Sequence, residues 1–216
     1  MHRITTAFLL ILLTLVPAAA AEKIRVACVG DSITYGAGVE LREKNCYPNV
    51  LFGLLGSDHE VKNFGVSGAT LLNAGDLPYT KQKAYKDALA YKPNLVIIKL
   101  GSNDSKSQNW KKSDKFTEDY TALIESFQKL DSKPTIYLCT PAPAFKGNFG
   151  ITEKVVKGEV KPKIESLAKN LKLTLIDVHA AMADHPKLFP DQIHPNAEGA
   201  KLLAETVHKA IAPKKE

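Results

Sequence analysis

Five short strand-like runs, four of them apolar and each ended by a turn-forming residue, constrain what this 216-residue chain can fold into more than any other feature. They are residues 24–29 before Gly30, 61–64 before Gly65, 95–100 before Gly101, 135–139 before Pro141, and 173–176 before Asp177. Val/Ile/Leu runs without polar alternation mark strands covered on both faces, as in parallel sheets. Amphipathic stretches separate them. Residues 114–130 present Phe116, Tyr120, Leu123, Ile124, Phe127 and Leu130 on one helical face. Residues 47–55, 81–91 and 153–170 supply three more helices, with Pro162 interrupting the last or starting a turn within it. The final helix spaces Ala200, Leu203, Ala204, Val207 and Ile211 along one side, with Asn196 as its N-cap. This alternation predicts a three-layer α/β/α sandwich on a five-stranded parallel sheet, and right-handed crossovers give the flavodoxin-like order 2-1-3-4-5.

Composition narrows the class. An apolar content of 44% with 13 Gly and 12 Pro excludes a disordered, collagen-like or coiled-coil chain. Residues 1–21 read as a cleaved signal peptide: a basic start at Arg3, an apolar run over 7–16, then Pro17 and the small residues Ala18 to Ala21. That run is too short for a stable membrane anchor, since about 20 apolar residues are needed to span a bilayer. The mature chain is then periplasmic or secreted, and residues 22–216 read as one domain with no repeat or linker. The formal charge of +6 comes from lysines spread along the chain. Nucleic-acid binders cluster such residues on a stripe, so no nucleic-acid partner is expected. Cys28, Cys46 and Cys139 cannot all pair, and in this strand order Cys28 and Cys139 lie about 10 Å apart, beyond disulfide reach. Free thiols are expected, and no metal-ligand spacing is present.

The polar residues that follow the strands carry the chemistry. In open parallel sheets the ligand crevice lies beyond the carboxyl ends of the strands. There the sequence places Gly30-Asp31-Ser32, then Gly65-Val66-Ser67-Gly68, then Gly101-Ser102-Asn103-Asp104. Asp191-Gln192-Ile193-His194 opens on the same end, just before the last helix. A serine hydroxyl needs a base to become a nucleophile, and the base needs an orienting carboxylate. Ser32, His194 and Asp191 can fill those roles. The tetrahedral oxyanion needs fixed donors, for which the Ser32 and Gly65 N–H groups and the Asn103 amide are the natural set. Taken singly, Ser32 is also a plausible helix cap, and Asn103 and His194 plausible loop residues. Four such segments at one end of one sheet favour catalysis.

In this order and spacing, the four segments resemble the SGNH (GDSL-type) hydrolase family, from Gly30 to His194. The resemblance implies an esterase with Ser32, Asp191 and His194 as triad and Ser32, Gly65 and Asn103 as oxyanion hole. Asp31 and Asp104 would support the loops by hydrogen bonds. Residues 63–71, 99–110 and 191–200 are similar to secreted bacterial carbohydrate O-acetylesterases, which implies an acetylated sugar or polysaccharide such as xylan or sialic acid as substrate. Few residues remain for a lid, so an open pocket and a small acyl group are expected. Trp110, the only Trp, follows Asn103 by seven residues and fits either of two uses, stacking on a sugar or packing a loop. A lysophospholipase or thioesterase would need an apolar acyl groove that the sequence does not display. A non-catalytic carbohydrate-binding protein would not need all five catalytic positions filled. No cofactor is implied, because Gly36-Ala37-Gly38 lacks the third glycine of a dinucleotide fingerprint.

Overall fold

The computed structural model describes residues 22–212. The signal-peptide expectation for residues 1–21 therefore lies outside the described residues. Five parallel strands form one sheet in the order β2-β1-β3-β4-β5. They are β1 (Ile24–Gly30), β2 (His59–Gly65), β3 (Leu95–Lys99), β4 (Thr135–Cys139) and β5 (Thr174–Ile176). Fold class and strand order are those predicted.

Side chains alternate across the sheet, and both faces are buried. Ala27, Val29, Val96, Ile98, Ile136 and Leu138 pack on one side under helices Lys83–Ala90, Phe116–Gln128 and Lys161–Asn170. Val26, Cys28, Ile97, Cys139 and Ile176 pack on the other, under helices Tyr47–Leu55 and Ala197–Ile211. A strand residue with apolar neighbours above and below needs an apolar side chain at every position, which is why the central runs do not alternate. At the edge, β2 is only partly covered, so it mixes polar residues (His59, Glu60, Lys62, Asn63) with Val61 and Phe64 and begins two residues before Val61.

Residues 153–170 differ from an ordinary helix. Glu153–Val155 is α-helical, Val156–Val160 widens into a π-turn, and the α-helix resumes at Lys161–Asn170 with Pro162 in its first turn. Proline has no N–H to donate and its ring crowds the preceding turn, so a widened turn is the cheapest way through. Asn196 caps the last helix, its side chain accepting from Gly199 N–H at 2.9 Å. Cys28, Cys46 and Cys139 are buried free thiols.

Candidate active site

Strand β1 ends at Gly30 and the chain turns at once into the short helix Ser32–Tyr35. Asp31 is its N-cap, with a carboxylate oxygen accepting from Ile33 N–H at 3.0 Å. The same carboxylate meets Lys99 Nζ at 3.1 Å, and both side chains are shut off from solvent. The backbone around Ser32 is therefore pinned from below by a charge-assisted hydrogen bond. Ser32 itself stays 8% exposed.

The last loop brings the imidazole in. Phe189 anchors it in the core against Phe145. One oxygen of Asp191 accepts from the backbone N–H groups of Ile193 (2.9 Å) and His194 (2.7 Å), and the other meets His194 Nδ1 at 2.7 Å. Burial pushes the Asp191 carboxyl up, but these bonds from His194 and Ile193 outweigh it and hold the carboxyl below its ordinary value. With Nδ1–H committed to a carboxylate, Nε2 is left as an acceptor. It lies 2.9 Å from Ser32 Oγ. Carboxylate, ring and hydroxyl thus form one continuous row of hydrogen bonds.

That row opens on a cavity of about 220 Å³ lined by Ser32, Gly68, Asn103, Lys106, Ile151 and His194, among others. Asn103 is buried, and one hydrogen of its side-chain amide goes to Ala69 carbonyl oxygen at 3.1 Å. An amide nitrogen carries two hydrogens, so one remains. Asp104 lies beneath, wholly buried, its oxygens accepting from Leu71 N–H (2.9 Å) and Leu72 N–H (2.8 Å). Burial pushes its carboxyl up to about 7 even against those bonds.

Gly65 does not supply an oxyanion donor. Its N–H is taken by Asn63 Oδ1 at 2.9 Å, and Gly65 does not line the cavity. The residue is glycine for another reason: a Cβ there would lie 2.2 Å from Tyr35 nitrogen, where β2 passes the Ser32 helix. Gly68, missed in the sequence, does line the cavity. It occupies the third position of a turn closed by Ala69 N–H to Val66 carbonyl oxygen at 3.1 Å, with φ of +84°. Type II turns require that conformation at that position, so Val66-Ser67-Gly68-Ala69 carried the signal. Neither Gly68 N–H nor Ser32 N–H has an acceptor among the described residues.

Residues 148–151 close one wall. Asn148 and Ile151 pair as a minimal antiparallel bridge, with Phe149 and Gly150 both at positive φ between them. The Asn148 amide donates to Asp191 carbonyl oxygen at 3.1 Å, and the Phe149 ring lies 5.5 Å from the His194 ring. Trp110 packs edge-on against Phe116, its ring centroid 5.4 Å away, and its indole N–H donates to Glu159. Among the described residues no three His, Cys, Asp or Glu side chains converge as metal ligands, and no helix is long and apolar enough to cross a membrane.

Residues 28–202 match the GDSL-like lipase/acylhydrolase family. The chain belongs to that family. It is 45% identical over 214 residues to an acetylxylan esterase of Xylanibacter ruminicola, an alignment covering 91% of this chain. The chain spans about half (45%) of that curated relative's length. Solved structures with the same fold include a carbohydrate acetylesterase of Sinorhizobium meliloti, with TM-score 0.71 and 22% identity over 88% of this chain and 99% of that one. An acetyl xylan esterase superposes with TM-score 0.65 and 24% identity, over 87% of this chain and 100% of the other. At such identities the structural likeness speaks to fold alone.

Proposed function

We propose that this GDSL-like hydrolase is a serine esterase that removes small acyl groups, acetyl above all, from carbohydrates through an acyl-enzyme. The observation that carries the reading is the unbroken row from Asp191 through His194 to Ser32, with contacts of 2.7 and 2.9 Å, ending at a cavity lined by Ser32 and Gly68, whose N–H groups have no acceptor among the described residues.

Ser32 Oγ attacks the ester carbonyl carbon as its proton passes to His194 Nε2. Asp191 keeps the ring oriented and stabilises the imidazolium that forms. Charge developing on the carbonyl oxygen is met by the Ser32 and Gly68 N–H groups and the free hydrogen of the Asn103 amide; Gly68 takes the part first assigned to Gly65. Fixed donors need no rearrangement as the charge appears, and one such donor is worth about 2.7–4 kcal/mol. Collapse of the tetrahedral species expels the sugar oxygen, which takes the proton from His194. Water, deprotonated by the same ring, then attacks acetyl-Ser32, and the second tetrahedral species breaks its bond to Ser32 Oγ, which takes the proton back from His194 as acetate leaves.

Size and likeness support the substrate class. A cavity of about 220 Å³ suits an acetyl group on a sugar better than a long acyl chain. The acetylxylan esterase relative and the basic start, apolar run and small-residue exit of residues 1–21 fit work on a polymer outside the cytoplasm, after export. Acetate release from a panel of acetylated glycans, with Ser32→Ala as control, tests the reading. Acetyl esters should also turn over faster than octanoyl esters of the same nitrophenol. Faster turnover of the octanoyl ester, or acetate release that survives Ser32→Ala, would overturn it.

A further inference from the structure

A second depression, of about 400 Å³, lies beside the catalytic cavity and is lined by Ser105, Ser107, Trp110, Gly150, Thr152 and Val155, with Lys111 at its rim. The two hollows share no residue, yet the same two segments build both. Lys106 faces the catalytic cavity while Ser105 and Ser107 face the depression. Phe149 and Ile151 face the cavity while Gly150 and Thr152 face the depression. A Cβ built on Gly150 would sit 3.6 Å from Lys106 Cγ, so strap and lysine stem touch. The hollows are thus lined by alternate residues of the same two segments, 105–107 and 149–152.

The depression is also tied rigidly to the reacting end. Asn109, next to Trp110, donates from its amide to the Asn103 carbonyl oxygen (3.0 Å) and to Asp76 (2.9 Å). The Trp110 ring is held by Phe116 and by Glu159, which takes up its only polar hydrogen. What the indole offers to this hollow is therefore its apolar surface. Beside it, Ser107 and Thr152 are exposed residues of the same lining, and their hydroxyls have no side-chain hydrogen bond among the described residues. An apolar aromatic surface flanked by free hydroxyls matches a sugar ring, which has C–H faces and O–H edges.

Resting on the carbohydrate-esterase reading above, we propose that this depression is a second sugar subsite. It holds the residue adjoining the acetylated one in the same glycan chain, with the Lys106–Gly150 wall passing beneath the glycosidic link. Trp110 then both packs its loop onto the body and carries sugar.

The test compares kcat/KM per ester on an acetylated xylose monosaccharide and an acetylated xylo-oligosaccharide. Wild type should favour the oligosaccharide, and Trp110→Ala should lower that preference about tenfold. Trp110→Phe should restore much of it, because an aromatic surface returns. Since Trp110 also packs on Phe116, a variant that blocks the hollow from its exposed rim, Ser107→Trp, provides a second route to the same loss. Equal kcat/KM on the two substrates in wild type, or a preference unchanged in folded Trp110→Ala or Ser107→Trp, would overturn the subsite. Release of acetate from neither sugar ester, with nitrophenyl acetate still cleaved, would instead overturn the carbohydrate reading on which it rests.

Discussion

The ammonium of Lys99 and the carboxylate of Asp31 meet at 3.1 Å directly behind the nucleophile, with 1% and 0% of their side-chain surfaces exposed. Their pairing joins the end of β3 to the cap of the Ser32 helix, two segments 68 residues apart in sequence. A buried pair of this kind adds little over an apolar substitute, but removing one partner strands the other charge.

Lys99→Met should therefore cost about 3–5 kcal/mol of unfolding free energy in urea titrations. The double change Lys99→Met with Asp31→Asn should recover part of that loss, since Asn still caps a helix and leaves no charge. A single variant as stable as wild type would show that the pair is not what holds this corner.

Asp104 gives a pH dependence with a definite sign. Its carboxyl is raised by burial from an ordinary 3.8 to about 7. The folded chain therefore holds this proton where the unfolded chain has lost it. Its contribution to stability is complete below about 3.8 and is lost as pH rises through about 7. Relative to Asp104→Asn, wild type should lose stability between pH 4 and pH 7. Parallel curves for the two proteins would refute this.

The two glycines of the second segment should fail differently. Gly65→Ala drives a methyl to within 2.2 Å of Tyr35 nitrogen and should damage folding. Gly68→Ala meets nothing closer than Leu77 at 3.5 Å, but at φ +84° it strains the turn by about 1–2 kcal/mol. It should lower kcat more than it raises KM, because a displaced N–H is missed mainly when charge develops. Steady-state kinetics beside thermal melts separate the two outcomes.

Asp191→Asn should leave the fold intact and lower kcat on the order of ten-thousandfold, because an amide at this position favours the wrong imidazole tautomer. Nitrophenyl acetate turnover near neutral pH measures it. Loss of less than about tenfold would remove Asp191 from the orienting role.

The sheet was legible because its three inner strands, β1, β3 and β4, take their character from burial on both faces, which only apolar runs satisfy. At the edge that rule lapses, and His59-Glu60 could not be read as strand. Ser32, Asn103, Asp191 and His194 were findable because each follows a strand or precedes a helix at the crevice end. The Gly65 assignment failed because a backbone donor is set by what already accepts from it, and Asn63 does so two residues away. Lys99 was a signal left unread: a lysine inside Val-Ile-Ile-Lys-Leu must find a buried counter-charge. The strap at 148–151 could not be foreseen, since it becomes a wall only through its long-range bond to Asp191.

The buried free thiols bear on how such a protein can be handled. Burial pushes the Cys139 thiol up to about 12 and Cys28 higher still, so neither forms the thiolate that oxidants attack. The native fold contains no bridge to form or reshuffle, so the folded protein should keep its activity equally in reducing and in non-reducing buffer.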